Sequence, residues 1–153
     1  MHNLTDGVIL RDFSSEDSAA VITLWERCGL TRPWNDPGKD IQRKCDELGK
    51  GGTGWFWVAE QDRQIIGAVM AGYDGHRGSV NYLAVAPEFQ GRGVGRAMMR
   101  RIEAALQAEG CPKLNVMVRT TNHQVRAFYE RLGYVTDDVA VLSSRLIADH
   151  KSD

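Results

Sequence analysis

A glycine-rich segment lies where an apolar run gives way to a long amphipathic one, and its residues are Gln90, Gly91, Arg92, Gly93, Val94 and Gly95. Glycine lets the backbone adopt dihedral angles that other residues avoid, and it lets the chain come close to a ligand. The helix predicted to begin here would offer unpaired N–H donors and the positive end of its dipole, and both favour phosphate groups. Arg92 and Arg96 add positive charge beside the loop. The pattern therefore predicts a loop that binds a phosphate or pyrophosphate.

Two other phosphate-binding motifs fit this chain poorly. A dinucleotide fingerprint requires G-x-G-x-x-G, whereas the segment from Gly91 to Gly95 reads G-x-G-x-G. A Walker loop requires Gly-Lys followed by Ser or Thr, but Gly49 and Lys50 are followed by Gly51. Taken alone, a glycine-rich loop is also typical of a tight turn that binds nothing.

Residues 122–134 form a second segment that carries chemically capable side chains, and it reads N-H-Q-V-R-A-F-Y-E-R-L-G-Y. Asn122 is predicted to cap a helix whose apolar seam includes Phe128, Tyr129 and Leu132. A phenol with a pKa of about 10 stays protonated at neutral pH and can donate its proton. An aromatic residue on the apolar seam of a helix is equally typical of the core, so Tyr129 has both interpretations.

Together, the two segments resemble the conserved blocks of the GNAT acetyltransferase superfamily. The first matches a strand ending in L-A-V-x-P, then Q-x-x-G-x-G and a long helix, and the second matches N-x-x-x-x-A-x-Y-E-x-x-G-[FY]. Residues 25–28, 32–37 and 73–78 further resemble the bacterial YpeA-type subgroup. The resemblance covers nearly the whole chain. It implies transfer of acetyl from acetyl-CoA to a primary amine by direct attack, without a covalent enzyme intermediate and without a metal.

The resemblance also implies which residues bind coenzyme A. The pantetheine arm would pair with the backbone of Leu83, Ala84 and Val85, and the Val85 N–H would face the thioester oxygen. The pyrophosphate would lie on the loop of residues 90–95, with Arg96 adjacent. Asn122 would contact the cofactor in addition to capping its helix.

The resemblance implies a general acid for catalysis but does not identify a general base. Tyr129 would be the general acid that protonates the departing thiolate. Better-known members often carry a glutamate base at the position of Ser79, and a serine hydroxyl is too weak a base to replace it. The alternatives that remain open are Asp74, His76, Tyr82 and a hydrated channel along the backbone.

The absence of a glutamate base affects how basic the acceptor amine can be. Deprotonating a lysine amine of pKa ~10.4 at pH 7 costs ~4.6 kcal/mol, whereas an α-amine of pKa ~7.7–8.0 costs only ~1–1.4 kcal/mol. A site without a dedicated carboxylate base therefore favours α-amines or other weakly basic acceptors, and small-molecule, peptide and protein amines all remain open. The resemblance implies acceptor contacts from the loop between the first two helices, where Arg32 and Trp34 lie, and from Tyr82. That loop is equally consistent with a simple connector that holds a buried tryptophan.

The coarse pattern of elements predicts an α/β fold in the order β-α-α-β-β-β-α-β-α-β. The first strand is expected at residues 8–13 and the last at residues 139–147, while Trp55 and Trp57 are expected to share a core-facing side of a strand. The resemblance implies a GNAT acyl-CoA N-acyltransferase fold in which helices flank a mixed, mostly antiparallel sheet. Its two parallel central strands would part between Leu83 and Leu114 to admit acyl-CoA, and the single domain would span residues 1–153.

Composition excludes several other classes of protein. A chain of 153 residues with 42% hydrophobic and 25% charged residues is not disordered, and its formal charge of −1 supplies no basic field for nucleic acid. No apolar run is long enough to span a membrane, so neither a membrane nor a nucleic-acid partner is expected. The cysteines are few and scattered, which predicts a cytoplasmic protein without a disulfide framework or zinc site. A monomer and a homodimer both remain open, as do a non-catalytic acyl-CoA-binding module and an unrelated nucleotide-binding domain.

Overall fold

The computed structural model describes residues 2–149 and contains one six-stranded sheet in the order β1-β2-β3-β4-β5-β6. The strands are β1 (His2–Thr5), β2 (Val8–Asp12), β3 (Gly54–Gln61), β4 (Gln64–Tyr73), β5 (Gly78–Val85) and β6 (Leu114–Val116). The helices are α1 (Ser18–Arg27), α2 (Pro37–Gly49), α3 (Val94–Ala108) and α4 (His123–Arg131). Every neighbouring pair of strands is antiparallel except β5 and β6, which are parallel. This architecture confirms the predicted fold class.

Helices cover both faces of the sheet. A Cβ placed on Gly67 of β4 would meet Met98 of α3 at 3.2 Å, whereas one placed on Gly72 would meet Lys44 of α2 at 3.4 Å. Because these glycines are an odd number of residues apart on one strand, they point to opposite faces. Residues 66–71 of β4 are all buried, as expected for a strand that is covered on both sides.

Local sequence signals set the helix ends. Asp36 accepts hydrogen bonds from the backbone N–H groups of Gly38 and Lys39, and Pro37 occupies the first position of α2. Helix α3 begins at Val94 directly after Gly93, which has a φ of +82°, and it buries Val94, Met98, Met99, Ile102 and Leu106. These buried side chains pack α3 against the sheet, while the N-terminus of the helix stays at the surface.

The parallel pair β5–β6 is joined only at one end. Gly78, Ser79 and Val80 pair with Leu114, Asn115 and Val116, and no later residue of β5 has a partner on β6. The end of β5 that contains Leu83 and Val85 is therefore free on this side. The expectation of a gap at Leu114 is wrong, because the register places Leu114 at the closed end opposite Gly78.

A bulge distorts the free half of β5. Ala68 pairs with Ala84 and Met70 pairs with Asn81, so β5 has one more residue than β4 in this stretch. Tyr82 lies in the bulge and has a φ of +54°, which is rare for a residue with a side chain.

The two ends of the chain differ from the predicted order of elements. The hairpin of β1 and β2 turns at Asp6 and Gly7, and this Asp-Gly signal was available in the sequence. The strand expected at residues 139–147 is wrong for the single chain, because this segment pairs with no other strand in the described structure. No helix within residues 2–149 has the length and apolarity needed to cross a membrane.

Candidate active site

The N-terminus of α3 carries a row of backbone amides that the rest of the described chain does not use. Gln90 N–H donates to Pro87 O at 3.3 Å, and the Ala97 N–H donates to Gly93 O at 3.0 Å. Between them, the N–H groups of residues 91–96 donate to no oxygen of residues 2–149. An exposed set of amides at a helix N-terminus fits an anion such as a pyrophosphate.

Glycine is required at the three positions of this loop for two different structural reasons. Gly91 and Gly93 have φ values of +79° and +82°, and a Cβ on either would project into open space. These two glycines therefore set the backbone conformation and leave room above it. A Cβ on Gly95 would lie 3.3 Å from the ring of Phe128, so Gly95 allows α3 to approach α4 closely.

Val85 faces the free side of β5. The Ala86 N–H donates to Ile66 O at 2.7 Å, and Gly67 pairs with Val85. Because hydrogen-bonded and non-bonded pairs alternate in an antiparallel ladder, the Val85 N–H points away from β4 and towards the gap. The preceding residue, Ala84, pairs with Ala68 and bonds towards β4.

The Val85 carbonyl at this edge accepts hydrogen bonds from two side chains. Gln90 Nε2 donates to it at 2.9 Å and the Cys28 Sγ at 3.3 Å. Gln90 thus fixes the glycine loop to the end of β5. Burial raises the pKa of the Cys28 thiol, so at neutral pH this sulfur is a neutral hydrogen-bond donor.

Tyr129 lies on α4, next to the Phe128 that contacts Gly95 of α3. Its side chain packs against Phe128 and Tyr134. The residue is only 7% exposed, and burial raises the pKa of its phenol well above the usual value. Its hydroxyl donates to no group of the described chain, but the oxygen is not sealed from solvent. The proton of this phenol is therefore available to a ligand.

A second tyrosine, Tyr82, is held by a carboxylate that sequence reasoning missed. Its hydroxyl donates to Oδ2 of Asp40 on α2 at 2.5 Å, and its ring stacks on Trp25 at 3.9 Å between centroids. Burial, and then the hydrogen bond to Asp40, raise the pKa of Tyr82 above its usual value. No local signal could have identified Asp40, because the two residues are 42 positions apart.

The other candidate bases lie at the far end of β5. Asp74 accepts hydrogen bonds from the N–H groups of His76 and Arg77 in the turn before Gly78, where β5 and β6 are joined. This turn precedes Gly78, and five positions of strand separate Gly78 from Leu83, which corresponds to ~17 Å. Ser79 is paired within the closed part of the sheet. None of these side chains lies beside the free end of β5.

The loop between α1 and α2 is partly buried, with Pro33 and Trp34 exposed. Trp34 is 47% exposed, with the guanidinium of Arg119 5.7 Å from its ring centroid, so the interpretation of a buried tryptophan is wrong. The Arg32 guanidinium donates to the carbonyl oxygens of Gly29 and Thr31 at 2.8 Å each, which stabilises the loop itself.

The remaining predicted residues lie as follows. Arg92 and Arg96 are exposed beside the loop, and the Arg92 guanidinium lies 5.2 Å from the Phe89 ring centroid. Asn122 caps α4 through a bond from the Val125 N–H to its Oδ1 at 3.2 Å. Trp55 and Trp57 do share one side of β3, but both are only half-buried.

Comparisons with known proteins agree with this geometry. Residues 19–134 match the Acetyltransferase (GNAT) family model. The chain is 51% identical over 142 residues to Acetyltransferase ECA0875 of Pectobacterium atrosepticum, covering 93% of this chain and 98% of that protein.

Solved structures share the fold at low sequence identity. The PaiA N-acetyltransferase of Thermoplasma acidophilum, solved with coenzyme A, has a TM-score of 0.73 at 16% identity, covering 87% of this chain and 92% of that one. A predicted acetyltransferase of Clostridium acetobutylicum, solved with acetyl-CoA, has a TM-score of 0.72 at 18% identity, covering 94% and 99%. An aminoglycoside 6'-N-acetyltransferase of Acinetobacter haemolyticus has a TM-score of 0.70 at 18% identity, covering 91% and 99%.

These matches exclude an unrelated nucleotide-binding domain. The family match spans both the glycine loop and the segment that contains Tyr129. The chain belongs to the GNAT acetyltransferase family, and it is an acetyltransferase that uses acetyl-CoA.

Proposed function

We propose that this enzyme acetylates a primary amine by direct attack, and that the site lies between the start of α3 and the free end of β5. The observation that carries the proposal is the row of unused amides at residues 91–96 beside an unpaired strand edge. A pyrophosphate fits the amides, and a pantetheine arm fits the edge presented by Leu83, Ala84 and Val85. Acetyl-CoA supplies an activated thioester when it is bound there.

Each end of the cofactor site has its own support. Arg92 and Arg96 are exposed cations beside the loop, and the Asn122 carboxamide keeps its N–H donors available within the described chain. The Val85 N–H supplies a donor to the thioester oxygen as negative charge develops there. Removing such a donor typically costs ~2.7–4 kcal/mol of transition-state stabilisation.

Tyr129 is the general acid of this proposal. Its hydroxyl holds a proton at neutral pH because burial raises the phenol pKa, and no other group of the described chain competes for that proton. Tyr129 Oη donates the proton to the departing sulfur. No cysteine thiolate is needed in this chemistry, and the neutral Cys28 is consistent with direct attack by the amine.

The pair of Tyr82 and Asp40 removes a proton from the acceptor. Tyr82 Oη accepts the proton of the ammonium group while its own proton moves to Asp40 Oδ2, over the hydrogen bond of 2.5 Å. A carboxylate reached through a phenol takes the place of the glutamate that the sequence lacks. This relay extends the range of acceptors to strongly basic amines, and we assign contacts with the acceptor to the loop that carries Arg32 and Trp34.

The acceptor class and the direct mechanism are tested together. The purified enzyme is incubated with acetyl-CoA and a library of amines, amino acids, peptides and amino sugars, and free CoA is measured. We expect N-acetyl products by mass spectrometry, and we expect the intact enzyme to gain no acetyl mass when acetyl-CoA is added alone. An acetylated enzyme that passes its acetyl group to the amine would contradict direct attack, and exclusively O-acetylated products would contradict the acceptor class.

A further inference from the structure

One residue from each of four neighbouring strands forms a row across the sheet. Gly54 of β3 pairs with Gly72 of β4, which pairs with Ser79 of β5. Ser79 in turn pairs with Asn115 of β6, and both of these polar residues are exposed. Directly paired residues point to the same face of a sheet, and strands lie ~4.8 Å apart, so the row is ~14 Å long. We call these four residues the polar row.

Lys44 of α2 lies over the glycine end of the polar row. Its Nζ donates to Ala71 O of β4 at 2.6 Å. A Cβ on Gly54 would lie 2.9 Å from this nitrogen, and a Cβ on Gly72 would lie 3.4 Å from it. The two glycines therefore provide the space in which a lysine side chain reaches the surface of the sheet.

The ammonium group of Lys44 has no anionic partner among residues 2–149. Its hydrogen-bond acceptor there is the neutral Ala71 carbonyl, whereas Arg43 on the same helix pairs with Asp149 at 2.6 Å. Burial lowers the pKa of Lys44, because the ammonium is only partly hydrated and the charge of Glu47 offsets only part of that loss. An ammonium has three N–H donors, so this group has donors left for an anion.

Lys44 also lies one helical turn from the pair that accepts the proton in the proposed function. Residues four apart share one face of a helix with ~5–6 Å between their Cβ atoms, so Asp40 and Lys44 both point towards the sheet. Asp40 accepts from the Tyr82 hydroxyl, and Lys44 contacts the neighbouring strand. Ser79 precedes Tyr82 by three positions on β5, which corresponds to ~10 Å. The polar row therefore extends beside the point where the acceptor amine would lose its proton.

We propose, resting on the proposed function, that the acceptor is an amine that also carries an anionic group, and that Lys44 binds this group over the polar row. The anionic group is a carboxylate or a phosphate, separated from the amine by several bonds. The Ser79 hydroxyl and the Asn115 carboxamide offer uncharged hydrogen bonds to the same molecule. A diamine fits poorly, because its second cation would meet the ammonium of Lys44. Lys44 thus determines specificity and takes no part in proton transfer.

The test measures acetyl transfer to acceptors that differ in one charged group. One arm compares ω-amino acids of increasing chain length with their primary amides. A second arm compares aminoalkyl phosphates with the matching amino alcohols, so the two arms distinguish a carboxylate from a phosphate. Release of free CoA gives kcat/KM for each acceptor. We expect the wild type to favour the anionic member of at least one pair by about tenfold or more, as for one charge-assisted hydrogen bond, and to use diamines least well.

Three full-length variants locate the anionic group. Lys44→Gln removes the cation, Asn115→Asp adds a negative charge to the exposed end of the polar row, and Lys50→Gln is the control. Lys50 follows α2, is exposed and lies outside the row. We expect the ratio of kcat/KM for anionic over neutral acceptors to fall by about tenfold or more in Lys44→Gln, mainly through KM, and to fall less in Asn115→Asp. The ratio should keep its wild-type value in Lys50→Gln.

Both values in each ratio come from one enzyme sample, so a variant that folds incompletely lowers both values and leaves the ratio unchanged. A wild type that acetylates neutral or cationic amines as readily as their anionic partners would overturn the inference. A ratio that stays at the wild-type value in both Lys44→Gln and Asn115→Asp would also overturn it. Either result leaves the proposed function intact, because an amine is still acetylated. Failure to acetylate any amine would instead overturn the proposed function, and this inference with it.

Discussion

Two tyrosine hydroxyls of the proposed active site differ in their hydrogen-bond partners, and the difference suits them to different steps. Tyr129 has no acceptor within the described chain, so its proton is free to be donated. The Tyr82 hydroxyl is committed to Asp40 at 2.5 Å, so a proton that arrives at Tyr82 has a carboxylate to move to. The acid and the base of the proposed reaction are thus distinguished by their partners.

Asp40→Asn is expected to lower kcat/KM for a lysine-like amine by at least ~10²-fold at pH 7, the lower range for loss of a general base. The reason is that the Tyr82 proton then has no carboxylate acceptor. Asp46→Asn is the matched control, because Asp46 lies on an exposed face of the same helix and, within the described chain, its carboxylate accepts only from Gln42 Nε2, at 2.8 Å. Equal activity of the two variants across pH 6–9 would contradict the role of Asp40.

The pH dependence follows from the direction of the Tyr129 pKa. Burial raises this pKa, so the neutral acid persists beyond the pH of ~10 at which an ordinary phenol ionises. Activity is expected to rise with pH as the acceptor amine loses its proton, and to show no descending limb below pH ~10. Initial rates measured from pH 6 to 10 at saturating acetyl-CoA check this, and a decline centred near pH 8 would count against Tyr129 as the acid.

At this scale, the sequence identified the residues that lie in a local motif and missed those brought in by the fold. Tyr129 is recognisable because Asn122 and Gly133 flank it at fixed spacing. The partnership of Asp40 with Tyr82 depends on the packing of α2 over β5, so the sequence alone does not reveal it. The strained φ of Tyr82 likewise depends on a bulge that its own neighbours do not signal.

Among the elements, α3 separates a packing role from a proposed binding role most clearly. Its buried stripe attaches it to the sheet, while the left-handed residues Gly91 and Gly93 leave its first amides exposed. The same helix ends at another left-handed glycine, Gly110, with a φ of +84°. Both ends of α3 therefore require a residue with a positive φ, but only the N-terminal end lies at the proposed pyrophosphate site.

Gly93→Ala and Gly110→Ala separate binding from stability. Each forces a side chain into the left-handed region, with open space around its Cβ, at a cost of ~1–2 kcal/mol. Both variants are expected to lose similar stability in urea, but only Gly93→Ala should weaken CoA binding, by about tenfold or more in calorimetry. Equal CoA affinity in the two variants would argue against the α3 loop as the pyrophosphate site.

Elements with local start and stop signals could be predicted well, and those that depend on pairing could not. The Asp36-Pro37 cap and the α3 stripe match the structure because a helix satisfies its own backbone. The register of β5 against β6 was misjudged at Leu114, since a strand's partner residue is set by tertiary packing.

For the whole molecule, residues 139–147 have the sequence pattern of a strand but form none. Their apolar spacing predicts a strand, yet the segment pairs with no strand of the described chain. Full burial of an aliphatic side chain contributes ~1.5–3 kcal/mol, and Leu142 stays 88% exposed, so this segment contributes little apolar burial to the fold.

The most direct test of the proposed mechanism compares Tyr129→Phe with Tyr134→Phe. Tyr134 lies 5.4 Å from Tyr129 between ring centroids, but its hydroxyl is bonded to Glu103 at 2.7 Å, so it controls for loss of a buried phenol. The account predicts that Tyr129→Phe loses ~10²-fold or more of kcat while its Kd for CoA stays unchanged, and that Tyr134→Phe keeps its kcat. A Tyr129→Phe enzyme with wild-type kcat would contradict the account, as would one whose lost activity is explained by lost CoA binding.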